Sequence, residues 1–229
     1  NITSSLYSGD YASWQHLWQG ETLLQLDYTH VFNEKLMLML SPGGSLLNYK
    51  LHNTDLQSLW NIRFNAAMRY APLQKHSVIL GGAIGNNQPS LSYLNTANQT
   101  IDLYQIKRGN LYLDNTKIYT ALAIYEGNFH RLLNIQCKLT YTKNVNNIYN
   151  HYYVEGDKLV SSYASDDSFQ SLSADLAISS RFSDNLRTNI YLKYGYMDVP
   201  GVSGLNRNNC SVSFDINYFI RSFALNAHV

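Results

Sequence analysis

Apolar and polar residues alternate with a period of two in five stretches of the chain. In the first stretch, Leu24, Leu26, Tyr28, His30 and Phe32 alternate with more polar residues. The same alternation runs through residues 62–70, 133–141, 190–196 and 210–218. It is typical of β-strands with one apolar and one polar face. The pattern predicts an all-β chain of about ten antiparallel strands joined as a meander.

The joins between the predicted strands fall into two classes that alternate along the chain. The short joins are expected at 33–35, 71–76, 126–128, 183–185 and a bend at 220–221, and the long joins at 48–57, 86–116, 144–168 and 198–208. A soluble β-sandwich has no reason to keep its long loops at one end, whereas a transmembrane barrel has short periplasmic turns and long extracellular loops. The joins therefore favour an up-and-down transmembrane β-barrel, with the soluble sandwich as the alternative.

The charges and aromatic residues agree with a sheet that faces lipid on one side. Charged residues are only 14% of the chain, and Arg63, Arg69, Lys138, Asp175, Lys193 and Asp215 all fall on the polar parity of their strands. His30 is the exception, near a turn. Tyr70, Tyr141, Tyr194, Tyr196 and Tyr218 lie on the apolar parity near strand ends, where an aromatic girdle is expected. We therefore expect Val212, Phe214 and Ile216 to face outward, towards membrane lipid.

The composition also excludes several classes of function. A formal charge of +1 argues against nucleic acid as a partner. Cys137 and Cys210 have no metal-binding spacing, and the seven histidines are scattered. The glycine-rich residues 81–85 precede no helix and no Lys-Ser/Thr pair, so they are not a phosphate loop. The sequence predicts no enzyme, no cofactor and no metal site.

The ends of the chain suggest a piece of a larger barrel. The first residue is Asn, no leader is recognisable, and residues 223–229 begin another apparent strand. Because an open edge in lipid leaves backbone groups unpaired, we expect further strands to close the wall. Residues 1–229 are thus expected to be one partial barrel region with no plug domain; a complete small barrel is the alternative.

A segment in the second long join resembles a known family. Pro89 and Ser90, then Leu94 and Asn95, then Gly109 and Asn110 with Leu113, follow the order seen in the barrels of TonB-dependent outer-membrane receptors of the Bacteroidetes group. The chain departs from that pattern at Gln88, where Arg is common, and at Leu111, where Pro is expected.

The resemblance implies a bacterial outer-membrane location and a barrel of about 22 strands with a plugged lumen. It also implies a plug domain and TonB as partners, neither of them within this chain, and import of a glycan, a peptide or a metal chelate. A non-transporting surface barrel, acting as an adhesin or a structural wall, is the alternative function.

Tyrosine and asparagine in the long joins are candidates for ligand contact, because they can stack on and hydrogen-bond to sugars or peptides. The candidates are Tyr93, Tyr104, Asn110, Tyr149, His151 and Tyr152. Pro89, Asn95, Gly109 and Asn110 are expected to shape the loop instead. Pro89 would end the incoming strand, and Gly109 and Asn110 would form a turn able to take positive φ.

Overall fold

The computed structural model describes residues 17–51, 55–129, 132–198, 206–220 and 223–228. Within these ranges the chain forms one sheet of thirteen strands and one short helix. The strands are β1 (Leu17–Gln25), β2 (Tyr28–Asn33), β3 (Leu36–Leu51), β4 (Gln57–Leu73), β5 (His76–Asn87), β6 (Gln99–Thr100), β7 (Gln105–Lys107), β8 (Thr116–Phe129), β9 (Leu133–Glu155), β10 (Lys158–Arg181), β11 (Leu186–Asp198), β12 (Arg207–Ile220) and β13 (Phe223–His228), and the helix is α1 (Leu91–Leu94). No helix in the described ranges is long and apolar enough to cross a membrane.

The strands follow an antiparallel meander, as the sequence predicts. Their order across the sheet is β1-β3-β4-β5-β8-β9-β10-β11-β12-β13, a path of ten strands. β1 and β2 both pair with β3, one after the other, so together they act as one interrupted edge strand. Among the residues described, β1 and β13 do not pair with each other. The sheet is therefore an unclosed wall, and the β-sandwich alternative is wrong because all thirteen described strands belong to this one sheet.

One predicted long loop is a β-hairpin. Residues 144–168 were expected to be irregular, but β9 and β10 stay paired up to Glu155 and Lys158. Two residues, Gly156 and Asp157, make the turn, and Gly156 has φ 66°. Two-residue hairpin turns require such left-handed backbone, which glycine adopts without strain. The only irregularity in the hairpin is a bulge between Ala164 and Ser168, opposite Asn146 with φ 57°.

The other joins differ less from the prediction. The turn expected at 126–128 lies later, because β8 continues to Phe129 and β9 starts at Leu133. The join expected at 48–57 is shorter, since β3 reaches Leu51 and β4 starts at Gln57. Residues 52–54 of this join, 199–205 of the join expected at 198–208 and residue 221 of the bend expected at 220–221 lie outside the described ranges. The long join after β5 is confirmed, and it contains α1, β6 and β7.

The register confirms the two faces. Cys137, Leu176, Leu192 and Val212 are directly paired neighbours across β9, β10, β11 and β12. They form a row of side chains on one face, which we assign as the apolar face. The adjacent residues Lys138, Asp175 and Lys193 form a row on the opposite, polar face. Opposite charges in directly paired positions of a sheet stabilise it modestly. Val212 and Phe214 are exposed and Ile216 is half-buried, and no layer covers them in the described part of the chain.

The buried apolar residues concentrate at the end of the sheet that carries the long loop. The loop cluster, as we name it, consists of Leu47, Tyr49, Leu94, Leu111, Leu113 and Tyr163. Leu47 and Tyr49 have the same parity in β3 as Gly43. Because Gly43 pairs with Arg63, whose side chain is on the polar face, Leu47 and Tyr49 also lie on the polar face. The loop cluster also joins β3 to β10, although four strands lie between them in the sheet, so the polar face is the concave one.

Candidate ligand-facing surface at the long-loop end

The loop of residues 88–115 is held by two short backbone bonds within itself. The amide of Gly109 donates to the carbonyl oxygen of Asn95 (2.7 Å), and the amide of Asn110 donates to that of Tyr93 (2.7 Å). A Cβ on Gly109 would lie 2.4 Å from the Asn95 oxygen. The expectation of positive φ here is wrong: no left-handed φ occurs at Gly109 or Asn110. Glycine is required at Gly109 because the two backbone segments approach so closely.

Hydrogen bonds to β3 and β10 help to anchor the loop to the wall. The Tyr49 hydroxyl donates to the carbonyl oxygen of Leu111 (3.2 Å), and Asn110 Nδ2 donates to that of Tyr163 (3.0 Å). The amide of Asp114 donates to Ser165 Oγ (2.9 Å). The loop thus ties β3 to the β9–β10 hairpin across the concave side. Burial in the cluster, and to a smaller extent the charge of Asp114, raises the pKa of Tyr49 above its ordinary value of 10.0.

The loop also extends the hairpin sideways. β7 pairs in parallel with the outer part of β10, and β6 pairs with β7. Arg108 fixes this arrangement, because its guanidinium contacts Glu155 Oε2 (2.8 Å) and donates to Asn98 Oδ1 (2.7 Å). The result is a small four-stranded platform of β9, β10, β7 and β6.

The structure divides the predicted contact residues into two groups. Tyr104 and Tyr152 are 68% and 59% exposed, and His151 is also exposed, with its ring 5.7 Å from that of Tyr153. Tyr93 instead packs on Tyr163, with ring centroids 4.3 Å apart. The Asn110 side chain is engaged by the backbone of Tyr163 and Tyr112. Tyr149 is half-buried and makes further contacts. Tyr104, His151 and Tyr152 are therefore the ones that remain open to a ligand.

The residues expected to shape the loop occupy structural positions. Pro89 is fully buried directly after β5, and Asn95 is 3% exposed, with its Oδ1 accepting the amide of Ala97 (3.0 Å). Asn110 Oδ1 accepts the amide of Tyr112 (2.9 Å). These side chains set the course of the loop backbone.

Sequence reasoning missed several exposed residues on this surface. Tyr112 is 86% exposed between the buried Leu111 and Leu113, and Leu103 and Val154 are exposed as well. Tyr112 lies between two leucines in the sequence, and in extended backbone neighbouring side chains point to opposite sides. That pattern could have predicted that Tyr112 is exposed if the leucines are buried. We name the exposed tyrosines Tyr104, Tyr112 and Tyr152 the aromatic crown. His151 is next to Tyr152 in β9, so its side chain points to the opposite face of the hairpin. No group of three or more metal-binding side chains occurs in the part of the chain described.

Comparison with solved structures assigns the fold. The chain superposes on the copper transporter OprC with a TM-score of 0.68 and 11% identity, covering 94% of this chain and 36% of OprC. The FrpB iron transporter from Neisseria meningitidis gives a TM-score of 0.68 at 9% identity, over 92% of this chain and 32% of FrpB. The siderophore receptor PiuA from Acinetobacter baumannii gives 0.57 at 13% identity, over 93% and 33%.

The chain therefore spans about a third of the length of these structures. Its fold matches part of the barrel of TonB-dependent receptors, as the resemblance in the loop predicts. No family model and no curated protein matches the sequence. The Bacteroidetes origin finds no support in these structures and stays a prediction.

Proposed function

We propose that this chain forms part of the barrel wall and extracellular surface of a TonB-dependent outer-membrane transporter that imports a glycan, a peptide or a metal chelate. The observation that carries the proposal is the loop of residues 88–115, which folds over the polar, concave side of the wall. A transporter needs such a structure above its lumen, because ligand must be held at the mouth before it passes inward. The likeness to proteins described as copper and iron transporters and a siderophore receptor supports the same class.

The aromatic crown supplies the contact surface in this proposal. Tyr104, Tyr112 and Tyr152 present flat rings with hydroxyl groups, which stack on apolar ligand faces and hydrogen-bond at the edge. Their backbone is held by the platform and the loop cluster, so little order has to be gained on binding. A plug domain and TonB, which this role requires, would be provided by the rest of the transporter.

The proposal is tested by binding and uptake in cells that make the natural protein. Replacing Tyr104, Tyr112 and Tyr152 together by Ala is expected to weaken ligand binding at least tenfold, since the three rings would each lose a stacking contact worth about 0.5–1.5 kcal/mol. Labelled oligosaccharides, peptides and ferric chelates are each tested as candidate ligands. Tyr218→Ala, on the apolar face, is the matched control and should leave binding unchanged.

Uptake also separates transport from a structural role. Import of the bound ligand should stop when TonB is removed, while binding persists. Binding to cell surfaces without any TonB-dependent import would contradict transport and favour the adhesin class.

A further inference from the structure

The outer half of β9 has a paired strand on one side only. β8 begins at Thr116, whose hydroxyl donates to the carbonyl oxygen of Asn146 (3.0 Å), and its pairing with β9 reaches no further than Val145. Upstream of β8 the chain crosses the concave side as the loop of residues 88–115. Within the described ranges, residues 150–155 therefore pair with β10 alone, and we name them the open edge.

The open edge is regular. Its six residues pair with β10 without a bulge, from Asn150 opposite Tyr163 to Glu155 opposite Lys158. In an antiparallel ladder every second residue directs both its N–H and its C=O to the same side. The open edge thus presents donors and acceptors in alternation over about 20 Å, at roughly 3.4 Å per residue. An extended peptide backbone has the same spacing, whereas a glycan or a metal chelate does not.

The other side of the hairpin already carries an added strand. β7 pairs in parallel with residues 159–161 of β10. Two further backbone bonds extend this contact, from the amide of Arg108 to the carbonyl oxygen of Ser161 (2.9 Å) and from the amide of Leu159 to that of Tyr104 (2.7 Å). An extended segment therefore binds the hairpin through its backbone on the β10 side. The β9 side has the same ladder geometry and no such segment in the described part of the chain.

The open edge lacks the features that keep exposed strands from pairing. Natural proteins protect such edges with lysine, proline or a bulge. Residues 150–155 contain neither lysine nor proline, and the irregularity of the hairpin lies further down, between Ala164 and Ser168. Their one acidic residue, Glu155, is held by the guanidinium of Arg108 (2.8 Å). An uncharged strand can therefore approach without meeting an unpaired carboxylate.

One face of the open edge is apolar. Asn150 pairs with Tyr163 of the loop cluster, so Asn150, Tyr152 and Val154 point to the concave side. Tyr152 and Val154 are 59% and 71% exposed. Aromatic and β-branched side chains in neighbouring strands stabilise a sheet when they lie side by side. An incoming strand is therefore favoured if every second residue is apolar.

We propose that the open edge binds an extended, uncharged peptide as an additional β-strand, with apolar residues at alternate positions beside Tyr152 and Val154. Backbone hydrogen bonds supply the affinity, and the alternate side chains supply the specificity. The site rests on the proposed function, which places the hairpin at the extracellular mouth, and it selects the peptide from the three ligand classes named there.

The first test uses the peptide backbone itself. A labelled hexapeptide, acetyl-Thr-Val-Thr-Val-Thr-Val-amide, is titrated into the natural protein purified in detergent. Two isomers carry N-methyl groups either on the three valines or on the three threonines, which removes the donors from one edge of the peptide and leaves the other edge intact. One isomer should bind roughly tenfold more weakly or worse, since about three hydrogen bonds are lost, and the other should bind like the parent. Any other pattern, including no saturable binding of the parent, overturns the site.

The second test changes the protein. Val154→Lys puts a protecting charge on the open edge and should weaken binding of the parent peptide roughly tenfold. Leu103→Lys is the matched control, because Leu103 is a 74% exposed residue of the loop that lies outside the open edge. It should bind the peptide like the wild type. Equal binding by Val154→Lys and Leu103→Lys contradicts the proposal.

Two further measurements separate the alternatives. Native mass spectrometry counts protein copies in the same samples, and a dimer that Val154→Lys dissociates, with no peptide bound, would replace the peptide by a second copy of this chain. Uptake of the peptide is followed in cells with and without TonB. Import that Val154→Lys leaves unchanged overturns this site and retains the proposed function. Binding at the open edge without TonB-dependent import overturns the proposed function and retains the site.

Discussion

Gly109 lies where two segments of the loop backbone cross, and its role is steric. An added Cβ would come within 2.4 Å of the Asn95 oxygen and 2.5 Å of the Tyr93 oxygen, both of which accept hydrogen bonds at this crossing. Backbone atoms cannot move aside as a flexible side chain can. A side chain at this position would therefore separate the segments.

Gly109→Ala is expected to destabilise the loop by roughly 1–3 kcal/mol, the usual cost of inserting a group into a packed site. Limited proteolysis of the protein in its membrane should show faster cleavage within residues 88–115. Gly85→Ala is the control, because a Cβ there meets nothing within 4 Å. Equal cleavage rates for the two variants would show that the crossing does not hold the loop.

Ionisation of Tyr49 makes the stability of the loop depend on pH in the alkaline range. Its pKa is raised in the folded state, so its neutral form is favoured there. The contribution of neutral Tyr49 to stability is fully present below its pKa in the unfolded chain, about 10. It is lost as pH rises through the higher pKa that Tyr49 has in the folded protein. The hydroxyl that anchors Leu111 is then a phenolate, which can no longer donate.

Cleavage of the loop by an alkaline protease should therefore accelerate above about pH 10 in the wild type. Tyr49→Phe loses the bond to Leu111, about 1 kcal/mol, and so is cleaved faster at neutral pH. The variant should also lack the Tyr49-dependent part of the alkaline rise. An identical pH profile in both proteins would contradict the role of Tyr49 as a titrating anchor.

At the scale of elements, the β9–β10 hairpin supports the loop that crosses the concave side. Its strands have 23 and 24 residues, about twice the length needed to cross a bilayer. Leu159, Val160 and Ser161 in its outer part pair with β7. The hairpin is thus the scaffold on which residues 99–107 are ordered.

Replacing residues 152–161 by Asn-Gly tests this dependence. His151 and Ser162 are directly paired, so a two-residue turn can join them. The shortened protein should integrate into the membrane normally, while residues 99–107 become sensitive to protease. Replacing only Gly156 and Asp157 by Asn-Gly keeps the pairing and should preserve protection. Protection that survives the shortening would show that the loop is ordered without the hairpin.

The hairpin also shows why this element was mispredicted. Residues 144–155 are rich in Asn, which is typical of loops, so the segment reads as irregular. Val145, Ile148, Tyr149, Tyr152, Tyr153 and Val154 nevertheless have high strand propensity. If this part of the hairpin stands above the membrane, as the proposed function requires, neither face needs to be apolar, and the alternation that marks the wall strands is lost.

At the scale of the whole molecule, the period of two was enough to predict the wall. Alternation in the strands containing Cys137, Leu192 and Val212 gave the correct parity, because one face must stay apolar along its whole length. The loop cluster could not be predicted in this way. Leu47 and Tyr163 meet through residues 110–113, and contacts between segments so distant in sequence leave no local periodicity.

The central claim is that the apolar face lies in a membrane, and the two free cysteines test it directly. Cys210 is exposed and Cys137 half-buried, and both lie on the apolar face. If lipid covers this face, a membrane-impermeant maleimide added to intact cells should label neither thiol. A separate variant, Asp157→Cys at the hairpin tip with both native cysteines replaced by Ser, should be labelled fully. Both native thiols should react after denaturation in detergent. Labelling of Cys210 on intact cells as fast as that of Asp157→Cys would contradict the account.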